Sequence, residues 1–325
     1  MAQVVLSLLL FCVRPAGADG DEVQVAMPQS AAQPMVWSEQ DWGTPPPIRV
    51  FVGSATTTDG LPIRAWYVDV DYSDTSLQVR PYLAQAPSGK EAVSAIAQRM
   101  AAYVAINGGY FDMSGQPATT FSLVKTDGHI VRKNVAKVTR PNGVYFVTRS
   151  AFGVRSDRSF DMAWIAHLGD DVYRYSEPTA NSPASLAPPP TQTYPTGATI
   201  WSDITDAIGG GPILVQDGQV KITYDEEAFF GSGFESGKPY PRTAVGYTAS
   251  HHLILFVVGG KRPAYSRGLT LPELAEEMRR LGCVAAMNLD GGGSTTLVVN
   301  ETVLNQPSDG TERRVTSALT VIPTQ

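Results

Sequence analysis

Two cysteines in 325 residues, Cys12 and Cys283, leave no room for a disulfide framework. Histidine is nearly as scarce, and none of the four (His129, His167, His251, His252) has the spacing of a metal motif. Basic charge is short as well. A net charge of −6 and a pI near 5.3 exclude a face that displaces phosphate counterions, and with it a nucleic-acid partner. Any anionic substrate must therefore be met by local arginines. The apolar run at 4–13 is shorter than the roughly twenty residues of a membrane span.

That run leads into Arg14-Pro15 and the small triplet Ala16-Gly17-Ala18, the pattern of a secretory signal peptide over 1–18. The mature chain is expected to begin near Asp19, to be secreted or periplasmic, and to have no transmembrane span. Cleavage would leave Cys283 alone. It stands in the apolar run 283–287, a setting for a small buried residue rather than a nucleophile.

What the chain has in quantity is glycine and proline, thirty and twenty-four, well above average use. With many β-branched and aromatic residues they predict a turn-rich, strand-rich protein. Residues 19–46 read as a Pro/Gln-rich spacer, 47–325 as the domain, and 177–199 as a Pro-rich surface insertion. Asp127-Gly128 and Asp217-Gly218 lie between apolar runs as hairpin turns. Two helices are expected, over 91–102 and 271–281, each opened by capping-box spacing, Ser88 to Glu91 and Thr270 to Glu273. The expected class is α+β: a strand-rich mixed or antiparallel sheet core, two main helices, and site loops at strand ends.

Both helices run into a similar continuation. A buried strand, an Asn and a glycine pair follow each, at 103–109 and at 283–292, so the two loops are expected at one edge of one sheet. The second loop reads Asn288-Leu289-Asp290-Gly291-Gly292-Gly293-Ser294-Thr295. Its glycines permit close backbone approach, and its N–H groups and hydroxyls can cradle an anion. The first loop, Asn107-Gly108-Gly109-Tyr110-Phe111-Asp112, offers an amide, a flexible pair and a carboxylate. Arg242 precedes a strand, where its planar fork suits a phosphate.

Together with Gly209-Gly210-Gly211-Pro212 and the closing 313–319, these segments resemble the phosphodiester glycosidase family over about residues 60–325. The resemblance implies an exported hydrolase acting on a sugar-phosphate or glycan substrate, in bacteria often in an exopolysaccharide or cell-wall setting. It would cleave the sugar C1–O bond of a sugar-1-phosphodiester, releasing sugar and a phosphomonoester. Arg242 and the loop Gly291–Thr295 would hold the phosphate. Asp290 and Asp112 would meet the oxocarbenium-like carbon, one as base or nucleophile. Asn107, Gly108, Gly109 and Asn288 complete the expected binding set. Two rival readings stand beside it. One is a phosphodiesterase cutting P–O with a divalent cation on Asp112, Asp290 and Asn288. The other is an envelope carbohydrate-binding protein without turnover.

Overall fold

The structure, a computed structural model, describes residues 31–324. The expected signal peptide lies outside the described residues. Within the expected spacer, Val36–Gln40 forms a strand paired along Ile48–Thr56.

The α+β expectation is corrected by the strand content. Strands make up 44% of the described residues and helices 7%, every ladder among them is antiparallel, and the fold is β-rich. Sheets of eight, seven and five strands, plus one isolated hairpin, carry it. Helix α1, Val93–Arg99, and helix α2, Leu271–Arg280, are sheet covers rather than a layer. Leu271, Leu274, Ala275 and Met278 of α2 pack on the eight-stranded sheet through Ile254 and Phe256. Val93, Ile96 and Ala97 of α1 pack on the five-stranded sheet through Ala105 and Ala318. The other faces of those two sheets meet the seven-stranded sheet in one core, which holds Val68, Ile106, Phe152, Trp164 and Val245. Strands covered on both faces can be apolar throughout, as Ser317–Pro323 is along most of its length.

Thr270 opens α2 with a full capping box to Glu273. The box expected before α1 does not form. Ala92 is the cap, while the Glu91 carboxylate accepts from the Gln85 N–H at 2.8 Å and pairs with Arg99. Both Asp-Gly turns close hairpins with positive φ at each residue, the geometry that two-residue hairpin loops demand. The segment 177–199 is tied down by buried Asn181, whose Nδ2 donates to the Phe146 carbonyl at 2.8 Å.

Candidate active site

The two similar loops leave different sheets, Val104–Asn107 in the five-stranded and Cys283–Asn288 in the eight-stranded. They nevertheless meet. Asn107 Nδ2 donates to the Asp290 carbonyl at 2.7 Å, and the Asp290 N–H donates to the Gly108 carbonyl at 3.1 Å. Asn107 Oδ1 accepts from Thr243 Oγ1 at 2.7 Å and the Thr296 N–H at 3.2 Å. This fully buried amide thus pins the backbone of Asp290 at the seam between sheets. Gly109 is required by the same seam: a Cβ there would lie 2.3 Å from the Gly209 carbonyl oxygen.

Above the seam lies a cleft of about 760 Å³. Asp290 is its one acidic lining residue. The carboxylate is partly exposed and accepts from the Gly291 N–H at 2.9 Å. Burial raises its pKa to about 6, against smaller opposing contributions from Ser294, Gly291 and Arg313. The neighbouring Tyr110 hydroxyl donates to the Gly211 carbonyl at 2.8 Å and accepts from Asn288 Nδ2 at 2.7 Å. Burial, then the charge of Asp290, pushes its phenol pKa up.

Two buried guanidinium groups share the cleft. Arg242, 1% exposed, donates through Nε to Leu269 and through Nη2 to the carbonyls of Glu235 and Lys238. It lies over Phe234 and Tyr240, so part of its work is to fix the 234–240 loop. Arg149 lies over the Phe229 ring at 3.8 Å to the centroid. Among the described residues it has no hydrogen-bond or ion-pair acceptor, and its Nε is buried. Burial lowers the pKa of both to about 10, still leaving them cationic near neutrality. A buried guanidinium without a protein hydrogen-bond acceptor keeps its N–H donors available for an anion.

Arg149 is held by its neighbours. Glu227, fully buried, accepts from the Ser150 N–H and Oγ at 2.9 Å each, the Ile213 N–H at 3.0 Å and Thr223 Oγ1 at 2.7 Å. One carboxylate thereby joins the strand of Arg149, the wall at Gly211 and the turn that carries Phe229. Neither Arg149 nor Glu227 belongs to a recognisable sequence motif. Tyr110 was within reach, inside the first glycine loop.

Of the expected site residues, Asp290, Arg242, Gly291, Gly292 and Gly293 line the cleft. Asn107, Gly108, Gly109, Asn288, Ser294 and Thr295 lie behind the lining, where they shape it. Asp112 is off the lining too. Its Oδ1 accepts from the Ser114 N–H at 2.9 Å and Oγ at 2.7 Å, and those bonds hold its pKa below the usual carboxylate value. Four N–H groups of the loop expected to cradle an anion are bonded within the fold, whereas the Gly293 N–H and the Thr295 hydroxyl have no partner among the described residues. The Gly291 N–H is spent on Asp290 itself, that of Gly292 on the Pro241 carbonyl, and those of Ser294 and Thr295 on Gly291 and Gly292. No group of three or more metal-ligating side chains occurs among the described residues.

The domain is β-rich, and one carboxylate shares its cleft with several guanidinium groups. Residues 100–322 match the phosphodiester glycosidase domain, and the chain belongs to that family. Mouse N-acetylglucosamine-1-phosphodiester alpha-N-acetylglucosaminidase is 31% identical over 207 residues, 63% of this chain and 33% of the mouse protein. The chain therefore spans about a third of that relative's length. The zebrafish enzyme's catalytic domain shares the fold, with a TM-score of 0.58 at 21% identity over 89% of this chain and 88% of the other. A hypothetical protein from Synechocystis does so with 0.59 at 20% identity, over 89% and 64%.

Proposed function

We propose that this protein hydrolyses a sugar-1-phosphodiester at the C1–O bond, releasing the sugar and a phosphomonoester. The observation that carries the reading is the lone carboxylate Asp290 in a cleft with Arg149, whose guanidinium has no protein acceptor. The phosphodiester anion supplies the missing acceptor, with Arg149 taking it bidentately and Arg242 adding charge. In this reading the anomeric carbon lies toward Asp290. Positive charge develops on that carbon as the C1–O bond breaks, and an ionised Asp290 meets it. The bonding electrons leave with the phosphate oxygen, already stabilised by the arginines, so no second carboxylate is needed as a strong acid. A water oxygen ends on C1, its proton going to solvent or to the phosphomonoester. Family membership supports the reaction class. The reading assigns no catalytic role to Asp112, which is off the cleft lining with its carboxylate bonded to Ser114.

Hydrolysis of an N-acetylglucosamine-1-phosphodiester in ¹⁸O-water tests it. Label in the sugar is expected; label in the phosphate would establish P–O cleavage and overturn the reading. Asp290→Asn is expected to lower kcat by on the order of a thousandfold while the substrate still binds. Near-normal turnover would reduce Asp290 to a shaper of the glycine loop. The apolar run at 4–13 and its small-residue triplet support export as part of the same proposal. N-terminal sequencing of protein from its native host is expected to begin near Asp19, and a retained Met1 would refute export.

No helix among the described residues is long and apolar enough to cross a membrane.

A further inference from the structure

Charge in the cleft is out of proportion to the proposed reaction. Six cationic side chains line it, Lys137, Arg140, Arg149, Arg242, Lys261 and Arg313, against the single acid Asp290. Composition does not explain this, since the chain as a whole carries −6. Only Arg313 is neutralised, by Asp309 at 2.6 Å; the other five form no ion pair among the described residues. The buried Glu227 carboxylate acts on Arg149, and with one ionised Asp290 and one phosphodiester it would offset three of those five charges and leave two unmatched.

The surplus has a location. Lys137 and Arg140 belong to Lys137–Arg140, the first strand of the isolated hairpin. That hairpin is fixed to the wall of the cleft. Arg140 Nε and Nη2 donate to the Ala228 carbonyl at 3.1 and 2.8 Å, next to Phe229, the ring beneath Arg149. Lys137 is exposed, and its side chain has no hydrogen-bond or ion-pair partner among the described residues. A second cationic station is thereby joined rigidly to the first, with exposed Phe121 also on the lining as an apolar surface for a sugar ring. Unpaired like charges gathered on one wall repel one another, and an anion that bridges them relieves that repulsion.

We propose that the substrate is an oligoanionic phosphoglycan, a sugar phosphodiester bearing at least one further phosphate or carboxylate group that is held at the Lys137–Arg140 hairpin. This rests on the sugar-phosphodiester reading and names the substrate class within it.

The test compares two hydrolysis-inert C-phosphonate analogues of N-acetylglucosamine-1-phosphodiester, one with a neutral ester group and one whose ester group carries a second phosphonate. Calorimetry at low salt is expected to show the doubly charged analogue binding at least about tenfold tighter, with the gap closing at high salt. Lys137→Glu should remove most of the gap, weakening the doubly charged analogue far more than the singly charged one. Equal affinity for the two analogues, or a gap indifferent to Lys137→Glu, would overturn the inference while the proposed reaction stands. If neither analogue binds, the reaction reading and the inference fall together.

Discussion

Arg149 shows what a single side chain contributes when no protein group competes for it. Phe229 and the charge of Glu227 offset only part of its burial cost, and an anion would offset more, so Arg149→Ala is expected to raise KM and lower kcat/KM by about a hundredfold. Arg149→Lys keeps the charge but loses the fork and the flat contact with Phe229, and should recover only part of that loss. Steady-state kinetics on the ¹⁸O-test substrate decide it; equal kcat/KM for Arg149→Ala and the unaltered protein would remove Arg149 from phosphate binding. Asp290 makes a complementary prediction through its pKa of about 6. Acting ionised, it gives a rate that falls as pH drops through about 6. A rate that rises there would make it the proton donor instead. Had Asp112 been the acting carboxylate, its lowered pKa would keep the rate flat over the same interval.

Between elements, the same carboxylate chemistry serves as a fastener. Glu227→Gln keeps the volume but turns an NH2 toward a pocket that offers donors from Ser150, Ile213 and Thr223. A loss on the order of 2 kcal/mol is expected, read as a lowered Tm, together with a raised KM as the strand of Arg149 and the turn of Phe229 lose their common tie. A variant with wild-type Tm and KM would show that the tie is dispensable. These long-range ties explain what was and was not legible in the sequence. The two Asp-Gly hairpins and the Thr270 box could be read because their chemistry is local: positive φ and a cap are decided within four residues. Ser88 and Glu91 have the same spacing as Thr270 and Glu273, yet Glu91 is drawn off by Gln85 and Arg99. The glycine loops were legible as a pair, but the strands before them entered different sheets, which no local pattern encodes. Arg149 and Glu227 act only through partners distant in sequence, and Asp112 had the right neighbours on paper but folds its carboxylate onto Ser114.

At the scale of the whole molecule, the site is expected to cost stability, and the pH dependence gives the sign. The folded state raises the Asp290 pKa from an ordinary 3.8 to about 6, so between those values it holds a proton the unfolded chain has released. Stability from this group is therefore full below about pH 4 and is lost as pH rises through about 6. Asp290→Asn cannot ionise and escapes that loss. It should be more stable than the unaltered protein near pH 8, by up to about 2 kcal/mol, a figure discounted because the carboxylate is partly exposed to the cleft. Near pH 4 the two proteins should converge. Denaturant titrations at both pH values measure the difference. An Asp290→Asn protein that is less stable at pH 8 would mean that the carboxylate's bond to the Gly291 N–H outweighs its burial. Such a residue would be built first to hold the glycine loop and only second to meet a charged carbon, whereas a gain in stability with a loss of turnover is the mark of a group kept charged, against the fold's interest, for chemistry.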